Sequence, residues 1–338
     1  METCRITFYR IDRCGYYSRN ATEAEFCEIE DALEELKAWA FQTGMTLGQT
    51  CTFSPDDYNE NLSETYCFDL VNNNQEDYLL VTWNRVPSIG GQVASVPSLE
   101  AVGEAQVSLT ELPDGSIPGY ATYFWFIPSR NVFACLQFHH RMNGRRNLEK
   151  YLREFLAKAT EHVVRDNDEI VGYIKDINDT ARKLYPQFNS LLHRNQAPIN
   201  YIRAQRENIR KIIRKDELDL DIHRDRKWWQ VMLGGLGVSK QNRTINTEVK
   251  FRFEVNHCPS QAELEDIIAT WNNETLHTKW DDTGFQLEGE SNIRWLSYSL
   301  ARKEIELDVL RDNEEVVNSE SLLEKLLEQR DSLLELIQ

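Results

Sequence analysis

A run of cationic side chains in the middle of the chain is the feature best suited to chemistry. The segment Tyr201–Lys215, here called the basic segment, contains a single acidic residue, Glu207, whereas the whole protein carries a formal charge of −17. Arginine favours phosphate because its planar guanidinium donates two parallel hydrogen bonds to one group. The sequence therefore predicts a phosphate-binding segment with the cations Arg203, Arg206, Arg210, Lys211, Arg214 and Lys215.

The spacing of these arginines is typical of one ridge of a helix. Positions 203, 206, 210 and 214 follow i, i+3, i+7 and i+11, and several isoleucines lie on another side. This pattern predicts an amphipathic helix with a guanidinium face. The alternative is that the cations pair with carboxylates of this acidic chain, as charged helix faces often do.

Further cations and aromatic residues follow the basic segment. Trp228 and Trp229 either stack on unpaired bases or bury one indole in a core. The glycines at 234, 235 and 237 form no P-loop and indicate a hinge. A loop at Arg145 and Arg146 is a second predicted phosphate contact. The remaining predicted contacts are Arg226, Lys227 and Arg243.

Metal and catalytic sites find weaker support. His139 and His140 are successive strand residues that point to opposite faces, and His257 and Cys258 are interpreted as structural for the same reason. Asp219, Asp221 and Asp225, near His223, could hold a divalent cation in a nuclease, which stays an alternative. No recognised catalytic motif is present. The sequence thus favours a non-enzymatic protein with no cofactor, no metal and no small-molecule substrate.

Length and composition favour about two domains in a soluble, intracellular protein. The 338 residues are 41% hydrophobic, but no apolar run approaches the roughly 20 residues that span a bilayer. The N-terminus lacks the layout of a signal peptide. Seven scattered cysteines without a CxxC pair are expected to be reduced and mostly buried.

The hydrophobic patterns predict an α+β fold with an N-terminal antiparallel-sheet domain, a helical connector, a smaller α+β domain and a C-terminal helix. The predicted ranges are 1–165 for the N-terminal domain, 166–243 for the basic helical connector, 244–312 for the second domain and 313–338 for the C-terminal helix. Within the first domain we expect a strand at Cys4–Tyr9, a helix capped by Thr22, hairpins at Tyr66–Trp83 and Tyr120–Phe138, and a helix at Leu148–Val164.

The C-terminal helix carries a leucine stripe that Arg330 interrupts. Large apolar side chains on one helix must be buried somewhere, at roughly 1.5–3 kcal/mol each. We expect them to form a homodimer or higher oligomer, and docking on the same chain is the alternative. The predicted interface residues are Leu323, Leu326, Leu327, Leu333, Leu334 and Ile337.

The order of these parts resembles that of the RexA-type bacteriophage-exclusion proteins and related defence proteins. The resemblance rests on the aromatic hairpin Tyr120–Phe138, the basic middle, the segment Trp228–Gly237 and the strand and helix of Thr247–Trp271. It covers about two-thirds of the chain as architecture and involves no catalytic motif. It implies a cytoplasmic, dimeric, DNA-binding sensor or effector that responds to phage infection, often beside a membrane partner.

The basic segment and this resemblance together imply a nucleic-acid-binding protein of anti-phage defence, with DNA as the first candidate ligand and RNA as the second. A protein-interaction subunit of a defence complex, in which the acidic surface mimics DNA, is the other alternative. The net charge of −17 excludes non-specific coating of nucleic acid by the whole protein, because most of the surface repels a polyanion.

Overall fold

A computed structural model describes residues 1–54, 62–73, 77–86, 92–95, 108–138, 143–218, 249–273 and 282–337. The chain forms two compact units. Unit 1 contains Met1–His193 together with Ala301–Gln338, and unit 2 is Arg194–Leu300. The predicted α+β class with an antiparallel sheet is confirmed.

Unit 1 begins with ten strands and two helices among the described residues. In chain order these are β1 (Glu2–Tyr17), α1 (Ile29–Ala40), β2 (Thr65–Asn72), β3 (Tyr78–Arg85), β4 (Gln92–Ser95), β5 (Ser108–Glu111), β6 (Gly119–Ile127), β7 (Val132–Gln137), α2 (Arg145–Lys158), β8 (Val163–Asp166), β9 (Glu169–Tyr173) and β10 (Tyr185–Leu192).

Unit 2 is a small α+β fold. Its described elements are α3 (Gln196–Ala204), β11 (Ile209–Leu218), β12 (Val249–Val255), α4 (Gln261–Asn273), β13 (Asp282–Leu287) and β14 (Ile293–Trp295). The chain then returns to unit 1 with β15 (Arg302–Leu307), α5 (Ser319–Glu328) and α6 (Arg330–Leu334).

The sheet of unit 1 is organised around the long strand β1. The strand order is β10-β1-β7-β6-β3-β2, and β15 also pairs with β1. The first half of β1 pairs with β15 and the second half with β10. The chain leaves the sheet after His193 and returns at Ala301, and both hydrogen bond to Phe8 at 2.9 Å. Unit 2 is therefore an insertion between two strands that share one edge of β1.

The central strands of this sheet are covered on both faces. Phe124 and Phe126 pack with α1 and α2, while Tyr123, Trp125 and Ile127 alternate with them and belong to a second buried cluster. Because successive strand residues face opposite sides, a strand buried on both sides is apolar throughout. This explains the unbroken aromatic run that identified the β6–β7 hairpin in the sequence.

The C-terminal leucine stripe docks on the sheet of its own unit, which corrects the predicted dimer interface. Leu322 and Leu326 are fully buried, and Leu327 and Ile337 pack at the margin of the same cluster. Leu323, Leu333 and Leu334 are buried there too. The stripe covers the face of the sheet opposite α1 and α2, so these side chains are not available to a second copy.

The helix predicted across the basic segment is also wrong. Helix α3 ends at Ala204, a short 3₁₀ turn covers Arg206–Asn208, and Ile209–Leu218 is the central strand of unit 2. Strand β11 pairs with β12 on one side and β13 on the other. The isoleucines at 209 and 213 are spaced to share one side of a helix or one face of a strand, so the sequence pattern does not distinguish the two. Strand pairing with distant residues decided between them.

Two predicted domain boundaries change for the same reason. The segment 166–243 is not a helical connector, because its described part includes β9, β10 and β11, which pair in three different sheets. Strand β15 lies in the predicted second domain by sequence but pairs with β1 in unit 1. Pairing between strands far apart in sequence leaves no local signal at such boundaries.

Helix α1 begins at Ile29 rather than after Thr22. The segment before it is extended, because Phe26 forms a bridge with Tyr16 of β1. Cys27 then adopts a left-handed conformation with φ of 62°. Gly15 permits this close approach, since a Cβ there would lie 2.5 Å from the Phe26 carbonyl oxygen.

All seven cysteines are free thiols, as predicted, and Cys258 is the exposed one. Within the described ranges, no helix has both the length and the apolar composition needed to cross a bilayer.

Candidate functional site

The cations of the basic segment are held by partners within unit 2. Arg203 forms a bidentate ion pair with Glu265, in which Nε and Nη2 donate to the two carboxylate oxygens at 2.9 and 2.8 Å. Arg210 pairs with Glu288. Lys211 pairs with Glu254 at 2.6 Å. At least four of the six cations have a carboxylate partner among the described residues, as in the alternative of internal ion pairs: Arg203, Arg206, Arg210 and Lys211.

The cations of this segment also contact groups other than carboxylates. Arg206 donates to the Pro259 carbonyl at 3.0 Å as well as pairing with Glu207. Arg214 donates to Thr283 Oγ1 at 3.0 Å, and the Lys215 ammonium lies 3.8 Å from the ring centre of Trp295. Such contacts, on three different elements, stabilise unit 2 and do not form one phosphate-binding ridge.

The pKa values of the carboxylates agree with this interpretation. A hydrogen bond from Arg203 lowers the pKa of Glu265, and hydrogen bonds from Lys211 and then Arg252 lower that of Glu254. Both acids are therefore stabilised in their charged form by the cations of the segment. A phosphate would have to displace these carboxylates to bind here.

Several predicted site residues lie in parts of the chain that the structure does not describe. They are Arg226, Lys227 and Arg243, the tryptophans at 228 and 229, the glycines at 234, 235 and 237, the histidines at 139 and 140, and the Asp219, Asp221, Asp225 and His223 group.

Helix α2 carries the cations that the structure places around a pocket. Its buried stripe includes Leu148, Tyr151, Leu152 and Phe155, at the three- and four-residue spacing that packs a helix on a sheet. Its polar positions hold five cations and two carboxylates, an excess of three positive charges in a protein of charge −17. The cations are Arg145, Arg146, Lys150, Arg153 and Lys158, and the carboxylates are Glu149 and Glu154.

Three of these cations line a pocket of ≈ 480 Å³ on unit 1. Arg146, Lys150 and Arg153 follow each other at i, i+4 and i+7, so they lie on one side of the helix. The pocket is completed by Leu62, Glu149, Phe188 and Asn189. We call this cavity the α2 pocket.

The two carboxylates of α2 are occupied by other groups. Glu149 Oε1 accepts from Ser190 N at 2.9 Å and Ser190 Oγ at 2.6 Å, and it pairs with Arg145 at 3.1 Å. Glu154 pairs with Lys150 at 3.1 Å and Lys158 at 2.8 Å. Burial alone would raise the pKa of Glu154, but hydrogen bonds from these two lysines bring it below its ordinary value.

Among the three cations that line the α2 pocket, Arg146 is the exposed one. It forms no ion pair or hydrogen bond with any residue of the described ranges, whereas its neighbour Arg145 is fixed by Glu149 and the Ser190 carbonyl. Arg146 also sits in the first turn of α2, which contains no acidic residue. The partial positive charge of a helix N-terminus disfavours a cation there and favours an anion. The sequence predicted a loop at this arginine as a second phosphate contact, but the structure places it in helix α2, where it lines the α2 pocket.

A second group of reactive side chains was missed in the sequence. Cys27, Glu35 and His162 place a sulfur, a carboxylate oxygen and a ring nitrogen within 4.8 Å of one another. Cys27 lies just before α1 and Glu35 lies in the middle of this helix, whereas His162 follows more than a hundred residues later. No known motif spacing links these three residues in the sequence. The cluster is visible only in the folded chain, where His162 lies beside α1.

Comparisons of this chain with protein-family models, with curated proteins and with solved structures gave no match.

Proposed function

We propose that this protein is a non-enzymatic nucleic-acid-binding protein that engages phosphate through the α2 pocket. The observation that supports this proposal is the row of Arg146, Lys150 and Arg153 along one side of a helix with an excess of three positive charges. The exposed Arg146 guanidinium is suited to two parallel hydrogen bonds with a phosphate. Arg153 lies 3.9 Å from Glu154 Oε1, which Lys150 contacts more closely, while Lys158 pairs with Glu154 Oε2. The weakly paired Arg153 guanidinium is therefore also suited to contact the phosphate.

The shape of the α2 pocket favours an unpaired or terminal nucleotide over the side of a duplex. A cavity of ≈ 480 Å³ can enclose part of one nucleotide, whereas a duplex backbone needs a long track of contacts. The acidic remainder of the protein repels additional phosphates, so the contact should be local and sensitive to salt. Phosphate contacts by themselves carry no sequence information, so a DNA preference would need contacts to the sugar or base.

The cellular setting of this proposal comes from the resemblance to RexA-type proteins. We propose that the protein works in the cytoplasm, as part of a response to phage infection, where recognition of an unpaired strand or end would report a replicating phage genome. Phage plaque counts on cells that express the wild type or an α2-pocket variant address this part of the proposal separately from binding.

The direct test is a binding titration with single-stranded DNA, single-stranded RNA and duplex DNA of equal length at several salt concentrations. We expect the wild type to bind a single strand with an affinity that falls as salt rises, by a log–log slope of about 0.7 per phosphate contact. The double variant Arg146→Glu and Arg153→Glu should lose at least about tenfold in affinity, with a shallower slope, because two contacts become repulsive.

The control variant reverses two exposed cations that lie away from the α2 pocket, Arg19 and Lys183. It carries the same change in net charge and should retain wild-type affinity to within a small factor. Equal losses in both variants would show a net-charge effect and contradict the α2 pocket. No retention of any nucleic acid by the wild type in low salt would defeat the proposal and favour a protein partner.

A further inference from the structure

A buried cluster of Cys27, Glu35 and His162 in unit 1 has the composition of a metal site. His162 Nε2 lies 2.7 Å from Glu35 Oε1, and Cys27 Sγ lies 3.6 Å from the same oxygen. Cys27 and His162 are 3% and 8% exposed and the Glu35 side chain is 18% exposed, so the cluster lies largely in the protein interior. These residues come from distant parts of the chain, and the fold brings them together. A chance grouping of surface side chains does not account for this.

The fold holds each of these side chains from a different direction. The left-handed backbone of Cys27, made possible by the close approach at Gly15, turns its thiol toward α1. Glu35 projects from the middle of α1. The His162 carbonyl accepts from Ile174 N at 3.0 Å, and its ring packs against the rings of Tyr16 and Phe26. Three separate supports fix the donor atoms before any ligand arrives.

The polar arrangement of this cluster is incomplete within the described chain. Glu35 Oε2 is buried and has no hydrogen-bond partner, although buried carboxylate oxygens are normally satisfied. A single His–Glu hydrogen bond would account for two of the groups, but it leaves this oxygen and the adjacent thiol unexplained. A cation that Glu35 binds through both carboxylate oxygens, together with Cys27 and His162, would satisfy the oxygen and the thiol.

The chemistry of the three donors also favours a cation. A carboxylate, a thiol and an imidazole lie within 4.8 Å of one another. A metal ion that binds there would displace the thiol proton to solvent, as it does for coordinating thiols in general.

We propose that Cys27, Glu35 and His162 form a binding site for a transition-metal ion, with Zn²⁺ as the best-suited ion. Sulfur, imidazole nitrogen and carboxylate oxygen are the three donor types that zinc accepts in proteins. Three protein ligands leave a fourth tetrahedral position for water or another small ligand. The site lies in unit 1 and does not depend on the α2 pocket or on nucleic-acid binding.

The experiment uses full-length, tag-free protein that has been stripped of metal with a chelator. Addition of Co²⁺ should give thiolate-to-cobalt charge-transfer absorption and the visible bands of tetrahedral cobalt, both removed by Zn²⁺. Zn²⁺ should also raise the midpoint of thermal unfolding. Cys27→Ser should lose the charge-transfer band, and His162→Ala should bind at least about 100-fold more weakly, which is the upper range for loss of an outer-shell contact alone.

The control is Cys258→Ser, because the exposed Cys258 beside His257 could bind metal adventitiously. This variant should keep the cobalt spectrum and the zinc affinity of the wild type. Glu35→Gln, which preserves shape, is the test variant if Cys27→Ser fails to fold, and it should weaken binding. A wild type without the cobalt spectrum, a spectrum lost only in Cys258→Ser, or a Glu35→Gln variant with unchanged affinity would each overturn the proposal.

Discussion

At the scale of single residues, the partner of each charged side chain decides what that side chain can do. Arg203 and Arg146 look alike in the sequence, but Arg203 is paired with Glu265 and Arg146 is exposed beside a pocket. Arg330, which interrupts the leucine stripe, pairs with the buried Asp77 through two contacts of 2.8 and 3.1 Å. Trp125 Nε1 donates to the same carboxylate at 3.1 Å. Arg330, the polar residue within the leucine stripe, thus connects α6 to the sheet through Asp77.

We predict that Asp77→Ala lowers the free energy of unfolding by about 1–3 kcal/mol. The substitution leaves the buried Trp125 N–H without its acceptor, and an unsatisfied buried donor has this cost, whereas the Arg330 guanidinium stays partly exposed to water. Urea unfolding followed by circular dichroism measures the change.

The comparison for this substitution is Lys325→Ala, which removes a surface pair with Glu328 of the same helix, α5. Its effect should stay within about 0.5 kcal/mol, as for most surface changes. Similar values for the two variants would show that the Asp77–Arg330 pair contributes little.

At the scale of elements, the two faces of the sheet of unit 1 have different coverings. Helices α1 and α2 cover one face, and the C-terminal helices α5 and α6 cover the other. Helix α2 has a second role, because its polar side presents cations to a pocket while its apolar side is buried. The leucine stripe of α5 has only the structural role, so self-association stays a prediction that requires a different surface.

We predict that Leu326→Ala lowers the free energy of unfolding by about 2–5 kcal/mol and leaves the molar mass unchanged. Leu326 is fully buried against the sheet, and truncation of such a leucine removes apolar burial and leaves a cavity. Urea unfolding gives the stability, and light scattering gives the mass.

Leu327→Ala provides the matched control, since Leu327 is adjacent but only partly buried. It should be destabilising by clearly less. A change of oligomeric state in the Leu326 variant at unchanged stability would contradict intramolecular docking and restore the stripe as an interface.

At the scale of the whole molecule, unit 2 is inserted into unit 1 at a single point of its sheet. His193 and Ala301 are the last and first residues of the two parts of unit 1, and the Ala301 N–H donates to the His193 carbonyl at 3.1 Å. The ends of the insertion are therefore already adjacent within unit 1. Domain insertions are tolerated when the two ends lie close together in the host.

We predict that a shortened protein, in which a brief glycine-rich turn replaces Arg194–Leu300, folds and keeps the single-strand affinity of the wild type. Unit 1 contains the complete seven-stranded sheet, both buried clusters and the α2 pocket. Circular dichroism and thermal unfolding test the fold, and the salt-dependent titration tests binding.

The outcome of this excision shows which unit binds nucleic acid and whether unit 1 is stable without unit 2. A folded protein that has lost affinity would move nucleic-acid binding to unit 2 and its basic segment. An unfolded product would show that unit 1 depends on the insertion for its stability.

The sequence by itself determined the local elements of this protein. The β2–β3 and β6–β7 hairpins, the buried side of α2 and helix α4 follow from alternation and helical spacing between neighbours, and the α+β class follows from them. The acidic balance and the cations of α2 could also be read directly.

Only the tertiary structure decided how distant segments combine. The basic segment became a strand because β12 and β13 pair with it, and its cations were neutralised by acids up to about eighty residues away. Pairing of β15 with β1 and convergence of Cys27 with His162 likewise depend on contacts that leave no periodic signal. Long-range pairing and charge compensation are properties of the packed chain, and a local pattern does not contain them.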